Sequence, residues 1–399
     1  MYMGFFEHVT LATPDAIFGL MQEYNADKRP GKINLTVGLY KDEKLMTPVL
    51  NSVKKAEEEL LASEKSKEYL PLDGDRAYLE GAGELIFGEF WAQSKERIAK
   101  AQAVGGTNAL RIGGELLFHE KVAETIHIPD YTWPNHKAVF VRAGLKVEIY
   151  PYYNRTEHAL NFEKMMSYFS ALPPRSAVVL HACCHNPTGM DLSLEEWKKL
   201  SALFLSKRLI PFFDMAYQGF GRGLNEDAEA VRLFAKEGHE MLVAYSFSKN
   251  FSLYAERAGV IFIIGDSHKT SSHLVSRLIT TIRPNYSNPP LHGAKIVATI
   301  LNSPKLRKEW EQELNEMRGR IDEMRTSFAT KLMKKAPKVD FSFLKERRGL
   351  FFILGLNEVQ VDRLRTESKI YMTRDGRINV AGLNHANLDY VVDAISNIL

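Results

Sequence analysis

The stretch that decides the fold is Met241-Leu-Val-Ala-Tyr-Ser-Phe-Ser-Lys249-Asn-Phe-Ser-Leu-Tyr-Ala-Glu-Arg257-Ala-Gly259-Val-Ile-Phe-Ile-Ile264. It contains two short apolar runs, each typical of a fully buried strand, with a lysine and an arginine between them. A lysine just past a strand end can be partly desolvated, which lowers its pKa toward a neutral amine able to form a Schiff base with an aldehyde. Taken alone, the pattern favours an ordinary surface lysine, so only residues elsewhere in the chain can favour a chemical role for Lys249.

The alternation of short apolar runs with amphipathic stretches extends from about residue 100 to 300. This pattern predicts an α/β fold whose mainly parallel sheet is covered by helices. Besides the two runs above, strands are predicted at 125–128, 146–150, 177–180 and 209–213. The capping-box pattern Ser193-Leu-Glu-Glu196 predicts a helix start between two of them.

The two ends of the chain break this alternation. A long charged amphipathic helix is predicted from Pro304 to about Lys335, followed by strand-like runs at 341–343, 349–354 and 377–380. Residues 32–40 suit an arm or a strand that pairs elsewhere. We therefore expect residues 1–45 to form an N-terminal arm and part of a small domain, 46–303 the large domain, and 304–399 a small C-terminal α+β domain.

The composition is that of an ordinary globular protein, with 399 residues of which 45% are hydrophobic and 25% charged. The net charge of +3, from 52 basic against 49 acidic residues, is too near balance to indicate a nucleic-acid partner. No apolar run approaches the roughly 18 residues of a membrane span, and the N-terminus lacks a signal-peptide pattern. The only cysteines, Cys183 and Cys184, are adjacent, which favours a reducing compartment. A cytoplasmic location without membrane contact is expected.

Unusual polar residues follow several of the predicted strands, where open parallel sheets bind their ligands. Asn186 lies in the turn His185-Asn-Pro-Thr-Gly189, after the run 177–180. Asp214 comes directly after the run 209–213, with Tyr217 three residues later. Together with Lys249, these residues are candidates for a single site at the sheet edge.

A candidate anion site lies at Val104-Gly105-Gly106-Thr107, which opens a predicted helix. The N–H groups at such a helix start can bind a phosphate, although the glycines are equally consistent with a helix entry alone. Ser246 and Arg257 flank Lys249 and could supply a hydroxyl and a fixed cation to the same anion.

Two rival kinds of site are poorly supported. No Gly-x-Gly-x-x-Gly opens a helix after a strand, which argues against a dinucleotide site. The cluster of His181, Cys183, Cys184 and His185 matches no common zinc spacing, and neighbouring cysteines in a strand would point to opposite faces. We therefore expect no metal, and hydrogen-bonding roles for the two buried histidines.

A lysine, an aspartate, a tyrosine, an asparagine and a phosphate cradle are together the groups that pyridoxal phosphate chemistry requires. Ordered motifs extend this set: Asn34-Leu-Thr-Val-Gly-Leu-Tyr40-Lys-Asp, Tyr69-Leu-Pro-Leu-Asp-Gly74, Trp133-Pro-Asn-His136, His185-Asn-Pro-Thr-Gly189, Asp214-Met-Ala-Tyr217-Gln-Gly-Phe220, Ser246-Phe-Ser-Lys249-Asn-Phe and Arg283-Pro-Asn-Tyr-Ser-Asn-Pro-Pro290. In these motifs the chain resembles the class I, fold-type I aminotransferases, and among them the aspartate and aromatic aminotransferase subfamily.

The resemblance implies pyridoxal 5'-phosphate as the cofactor and gives each residue a role. Lys249 would hold the cofactor covalently and then move a proton between the substrate α-carbon and the cofactor. Asp214 would keep the ring nitrogen protonated. The other implied cofactor contacts are Tyr217 and Asn186 at the ring oxygen, Trp133 on the ring face, Gly105, Gly106, Thr107, Ser246 and Arg257 at the phosphate, and Tyr69 from a second subunit.

For the substrate, the resemblance implies a pair of arginines. Arg377 would clamp the α-carboxylate, and Arg283 of the neighbouring subunit would meet the distal carboxylate of aspartate or glutamate. Gly38 would approach the substrate by its backbone, in a segment that closes over it, and Trp133 and Asn186 would also contact the substrate. A homodimer with shared active sites follows from the resemblance, with amino acids and 2-oxo acids as its small-molecule partners.

The expected activity is ping-pong transfer of the amino group of L-aspartate to 2-oxoglutarate, with tyrosine and phenylalanine also accepted. The residues that look like the aspartate branch of the family are Thr107, Asn288, Lys41 and Thr47. Leu39 and the run around Ser252 look closer to the aromatic branch, so a primarily aromatic aminotransferase stays open.

Two remoter alternatives concern the reaction itself. A lyase or decarboxylase with the same cofactor would break a different bond to the α-carbon, and the pair Arg283 and Arg377 argues against it. A non-catalytic regulator built on this fold would have no need of Lys249 or Asp214, and both are present.

Overall fold

The computed structural model describes residues 4–11 and 16–399. The expected N-terminal arm includes residues 1–3 and 12–15, which lie outside the described residues. The strands are β1 (Ile33–Asn34), β2 (Ile98–Val104), β3 (Thr125–Pro129), β4 (Lys146–Tyr150), β5 (Tyr153–Asn154), β6 (Ala159–Leu160), β7 (Ala177–His181), β8 (Ile210–Met215), β9 (Met241–Ser246), β10 (Ala258–Ile264), β11 (Phe351–Ile353), β12 (Ile370–Tyr371) and β13 (Arg377–Asn379).

The described residues also form helices. They are α1 (Ala16–Ala26), α2 (Asn51–Ser63), α3 (Arg76–Phe87), α4 (Glu89–Ser94), α5 (Gly105–His119), α6 (Asn135–Arg142), α7 (Phe162–Ser170), α8 (Leu194–Lys207), α9 (Glu229–Lys236), α10 (His268–Asn285), α11 (His292–Asn302), α12 (Pro304–Lys335), α13 (Glu358–Ser368) and α14 (Leu388–Ser396). Among the described residues, no helix is both long and apolar enough to cross a membrane.

A seven-stranded sheet in the order β2-β10-β9-β8-β7-β3-β4 organises the region from residue 98 to 264. Its neighbouring strands are parallel except that β10 is antiparallel to both β9 and β2. The expected mainly parallel sheet is therefore confirmed. Because β10 alone is reversed, its first residue lies at the same edge of the sheet as the last residues of the other strands.

The six strands predicted from apolar runs all form, whereas β2 was not predicted. Its sequence, Ile-Ala-Lys-Ala-Gln-Ala-Val, has no run of large β-branched or aromatic residues. Ala99, Ala101 and Ala103 face a core cluster beneath α5, while Lys100 lies on the other side over the Trp91 ring, 4.6 Å from its centre. Small side chains on the buried face allow the helix to lie close to this edge strand.

Helices cover both faces of the sheet, so successive side chains of β8 are buried on opposite faces. Phe212 lies in the core cluster shared with α5, α6 and α10, whereas Phe213 lies in the cluster on the opposite face. There the Phe213 ring packs edge-on against Phe234 of α9, with centroids 5.1 Å apart. The predicted capping box of α8 is confirmed, because Ser193 accepts from the Glu196 N–H and the Glu196 side chain accepts from the Ser193 N–H.

In the C-terminal part, the long helix predicted from Pro304 is confirmed, and one predicted strand is wrong. The run 341–343 is not a strand, because residues Ser342–Glu346 form a 3-10 helix. The Asp340 side chain accepts from the Ser342 N–H at 2.8 Å, which turns the chain at this point. The runs at 349–354 and 377–380 do contain strands, β11 and β13, which pair in antiparallel fashion.

The N-terminal segment adds a strand to the C-terminal part. β1 pairs in parallel with β12, as expected of a strand that pairs elsewhere. The domain boundaries at residues 45 and 303 stay a prediction.

Two glycines in helix interiors lead to opposite expectations for the same substitution. A Cβ on Gly113 of α5 would lie 2.5 Å from Phe212 Cζ, so Gly113→Ala should lower the free energy of unfolding by about 1–3 kcal/mol, as overpacked cores do. Gly319 of α12 has no atom within 4 Å of such a Cβ, so Gly319→Ala should raise it by about 0.5–1 kcal/mol. Urea unfolding followed by circular dichroism measures both, and shifts of the same sign would contradict this account.

Candidate active site

One cavity lies at the carboxyl edge of the sheet, where the strand ends meet. It is lined by Gly106, Thr107, Leu110, Trp133, His181, Cys183, Asn186, Asp214, Ala216, Tyr217, Ser246, Ser248, Lys249 and Arg257. Most of the site residues predicted from the sequence are therefore brought together. Of the candidate anion-binding residues, Gly105 does not line the cavity. It lies next to Gly106 and against the Arg257 side chain.

The sheet register places the central groups. Asp214 of β8 lies opposite His181 of β7 and Ala244 of β9, so its carboxylate stands in the middle of the sheet edge. Lys249 follows β9 by three residues, in a turn where the Ser248 N–H donates to Ser246 Oγ at 3.2 Å. The lysine is thereby turned back over the strand ends.

The Lys249 ammonium is mostly removed from water. Its Nζ lies 5.2 Å from the centre of the Tyr217 ring. Burial lowers the pKa of Lys249 to about 8, with the Asp214 carboxylate opposing the shift and Arg257 adding to it. The neutral, nucleophilic amine is therefore available at much lower pH than in an ordinary lysine.

A chain of hydrogen bonds ends on Asp214. The Asn186 N–H donates to His181 Nδ1 at 3.4 Å, and His181 Nε2 lies 2.9 Å from Thr132 Oγ1. Thr132 Oγ1 lies 2.7 Å from His136 Nδ1, and His136 Nε2 lies 3.0 Å from Asp214 Oδ2. Because a backbone N–H can only donate, it assigns the tautomer of His181, and each following link then donates toward the carboxylate.

The charges in the cavity follow from this chain. Burial alone would raise the pKa of Asp214, but the hydrogen bond donated by His136, together with the nearby Lys249 ammonium, holds it below its usual value. Burial lowers the pKa of His181 to about 3, in keeping with the neutral tautomer assigned above. Burial raises the pKa of Tyr217, which keeps the phenol protonated. The cavity thus presents a carboxylate and a neutral phenol near the lysine.

A cradle for an anion forms where α5 begins. Gly105 has φ +72°, and a Cβ there would lie 2.4 Å from Arg257 Nη2. A Cβ on Gly106 would lie 3.0 Å from Ser246 Cβ, so both glycines permit a close approach that larger residues would block. Arg257 Nη1 in turn lies 3.2 Å from Ser248 Oγ. Helix N–H groups, hydroxyls and a guanidinium converge here, which suits a phosphate.

Arg377 lies beside the cavity. It is only 3% exposed, and its Nη1 donates to Asn186 Oδ1 at 3.4 Å while its Nη2 donates to the Thr36 carbonyl at 2.8 Å. The Phe351 ring packs on the Arg377 guanidinium, and Gly38 lies on the same ring, because a Cβ on Gly38 would be 2.9 Å from it.

Tyr69 and Arg283 lie outside the cavity of the single chain. The Tyr69 side chain is 91% exposed. Arg283 is in the last turn of α10, where its Nη1 donates to Ser287 Oγ at 2.8 Å. Both were expected to serve the site of a neighbouring subunit.

A family model described as aminotransferase class I and II matches residues 30–395. The chain belongs to this aminotransferase family. Full-length relatives agree with this. The chain is 46% identical, over 100% of both chains, to an aspartate aminotransferase of Pseudomonas aeruginosa, and 40% identical, over 98% of both, to a tyrosine aminotransferase of Klebsiella pneumoniae. It superposes with TM-score 0.96, at 45% identity and over 100% of both chains, on an aromatic-amino-acid aminotransferase of Burkholderia pseudomallei covalently bound to pyridoxal phosphate.

The cysteines of this aminotransferase differ from the expected arrangement. They follow β7 rather than lie in a strand, and Cys184 has φ +51°. Both sulfur atoms and the Asp227 carboxylate therefore lie within 4.8 Å of one another, not on opposite faces. The Asp227 carboxylate accepts three backbone N–H groups, from Gly219, Gly221 and Arg222, and so anchors the loop after β8.

Thr132, His136 and Ser248, which have no role predicted from the sequence, complete the hydrogen-bonded groups of this aminotransferase. His136 belongs to the motif Trp133-Pro-Asn-His136, and its ring also meets the Trp133 ring edge-on at 5.4 Å. A signal was available, because Thr132 and His136 follow strand β3 at the same sheet edge, Thr132 just before α6 and His136 in its first turn.

The low pKa of Lys249 predicts its reactivity in protein stripped of small ligands. Reductive trapping of formaldehyde on Lys249, followed by mass spectrometry, should increase with pH through a midpoint near about 8, well below the ordinary lysine value. Asp214→Asn removes a charge that favours the ammonium, so the midpoint should move further down. Exposed lysines in the same digest provide the internal reference. A midpoint equal to theirs, or an upward shift in Asp214→Asn, would disprove the electrostatic account.

Proposed function

We propose that this aminotransferase uses pyridoxal 5'-phosphate to transfer the amino group of L-aspartate to 2-oxoglutarate, giving oxaloacetate and L-glutamate. Tyrosine and phenylalanine are further amino donors. The observation that carries the proposal is the meeting of a desolvated lysine, a charged aspartate and an anion cradle in one cavity. The likeness to relatives named aspartate and tyrosine aminotransferase supports both classes of donor.

The residues present fit the cofactor. Its phosphate suits the cradle of Gly105, Gly106, Thr107, Ser246 and Arg257, because the glycines leave room that any Cβ would fill. When bound, the cofactor supplies a carbonyl that captures amines and a conjugated ring that accepts the electrons of the substrate α-carbon. Tyr217 and Asn186 would donate to the ring oxygen, Trp133 would cover the ring face, and Lys249 Nζ would form the covalent link.

Lys249 also carries the proton of the reaction. With the cofactor bound, Lys249 Nζ would act as the base. A pKa of about 8 would allow this amine both to take a proton from the substrate α-carbon and to give a proton back at similar cost. The nearby Tyr217 ring keeps water from the amine on one side.

Asp214 would hold the proton of the cofactor's ring nitrogen in place. A carboxylate can do so only while it is charged, and the His136 hydrogen bond keeps the pKa of Asp214 low despite its burial. The neutral groups behind His136 fix its ring without adding a competing charge. The relay would therefore keep Asp214 charged beside the cofactor, which favours the electron-accepting form of the ring.

Two arginines select the substrate. Arg377 binds the α-carboxylate, which every amino acid has, while Arg283 of the neighbouring subunit binds the distal carboxylate of aspartate or glutamate. Arg283 Nη1 donates to the neutral hydroxyl of Ser287. It can therefore turn aside when the substrate carries an uncharged aromatic ring.

We propose a homodimer with shared sites. Tyr69, Leu61 and Met46 are 91%, 86% and 64% exposed in the single chain, an unusual cost for apolar side chains that a second subunit would remove. Tyr69 would then reach the phosphate of the partner site. Both cysteines are free thiols, which supports a cytoplasmic location.

Turnover with aspartate and with phenylalanine, each against 2-oxoglutarate, tests the function. Oxaloacetate should form from aspartate, and Lys249→Ala should abolish turnover with both donors. Arg283→Leu should lower kcat/KM for aspartate about 100-fold or more, the cost of losing one partner of a charged pair, and leave phenylalanine nearly unchanged. Alanine or ammonia as the product from aspartate would contradict the transaminase assignment, and an equal loss with both donors would contradict the role of Arg283.

Hybrid dimers test the sharing of sites. When Lys249→Ala and Arg283→Leu chains are mixed, each hybrid contains one site with both defects and one with neither. Random reassociation should therefore restore about a quarter of the wild-type activity toward aspartate. Differently tagged chains verify that hybrids form. Hybrids without restored activity would mean that Lys249 and Arg283 of the same chain serve one site.

A further inference from the structure

The ribbon of β11 and β13 presents one face to Arg377. The antiparallel register places Ile353 opposite Arg377 and Phe351 opposite Asn379. Because residues two apart in a strand share a face, Phe351, Arg377 and Asn379 all project from the same side. Phe351 and Arg377 are diagonal neighbours, within reach of an aromatic and a long side chain.

The Phe351 ring packs directly on the guanidinium. The Arg377 Cζ lies 4.6 Å from the centre of the ring, and both side chains are 3% exposed. The ring also meets the Tyr217 ring edge-on, with centroids 6.1 Å apart. A guanidinium over an aromatic face in a desolvated setting is attracted by the ring quadrupole, which restricts the plane it adopts.

Asn379 fixes the backbone on the other side of this contact. Its Nδ2 donates to the carbonyls of Val37 and Leu39, and its Oδ1 accepts from the Ala381 N–H at 2.9 Å. Gly38, between the two carbonyls, is thereby held against the Phe351 ring, 2.9 Å from the position of an added Cβ. The ring is confined between this main chain and Arg377.

We propose that Phe351 is a positioning residue for the transamination. Its ring holds the Arg377 guanidinium in the plane from which Nη1 and Nη2 reach Asn186 and Thr36, and so presents it ready-oriented to the α-carboxylate. Leucine would fill part of the space without offering a π face. The inference rests on the proposed role of Arg377 in substrate binding.

The test uses 3-phenylpropanoate, whose single carboxylate engages Arg377 and not Arg283. Isothermal titration of the holoenzyme should show about tenfold weaker binding in Phe351→Leu, the size of a desolvated cation–π contact. KM for aspartate and for phenylalanine should increase by a similar factor with little change in kcat, because the α-carboxylate is common to both.

Phe343→Leu is the matched control. Phe343 also lies under a guanidinium, that of Arg347 at 5.1 Å, but contacts none of the proposed site groups. Its effect on binding should stay within about twofold, the range of substitutions away from a site. In an Arg377→Gln background the effect of Phe351→Leu should also shrink to about twofold, because the cation is gone. If Phe351→Leu does not fold, Phe351→Met replaces it with the same expectation.

The outcomes separate this inference from the proposed function. An unmodified enzyme without transamination, or an Arg377→Gln variant with unchanged affinity, would overturn the function assigned to the site. Impaired binding in Arg377→Gln, combined with Phe351→Leu binding like the Phe343→Leu control, would overturn only the positioning role of Phe351.

Discussion

The direction of the strands is the constraint on which the site depends. Asp214, Asn186 and Lys249 come from the ends of three parallel neighbours, so they meet without any long loop. The reversal of β10 brings the residue before it, Arg257, to the same edge. Were β10 parallel like the others, that guanidinium would lie at the far end of the sheet, and the helix start at Gly105 would lack its cation.

Burial acts on every ionisable group at this edge, but its outcome depends on the hydrogen bonds each group receives. For Lys249 desolvation dominates and favours the neutral amine. For Asp214 the donor at His136 outweighs desolvation and favours the charged form. A buried lysine–carboxylate pair with no other partner would not combine a lysine shifted toward the neutral amine with a charged carboxylate. In such a pair, each group stabilises the charge of the other. The relay from Asn186 to His136 resolves this by supplying the carboxylate with a donor of its own.

Much of the fold could be predicted from the sequence, because strands buried on both faces appear as continuous apolar runs. Much of the site could be predicted as well, because the polar residues that follow parallel strands must lie at the same edge of the sheet. The features that were missed depend on side-chain contacts or backbone conformations that the apolar pattern does not record. The alanines of β2 do not form a recognisable strand pattern, and their burial depends on packing beneath α5. The run at 341–343 turns into a 3-10 helix because the side chain of Asp340 accepts from the Ser342 N–H. The two thiols converge because Cys184 adopts a left-handed backbone, which no periodicity predicts. His136 acquires its importance only from Asp214, far along the chain.

The two proposed substrate arginines differ in how firmly each side chain is fixed, and this difference follows from where each residue lies. Arg377 is buried, packed on the Phe351 ring and bonded to the Asn186 side chain and the Thr36 carbonyl, so its orientation is largely fixed before a substrate arrives. Arg283 stands on the last turn of a helix, where its Nη1 donates to the neutral hydroxyl of Ser287. A fixed cation suits the α-carboxylate, which is the same in every amino acid, since preorganisation lowers the entropy lost on binding. A movable cation suits the side chain, which differs between aspartate and phenylalanine. One site can therefore accept both classes of donor without a second pocket, provided that the mobility is confined to Arg283.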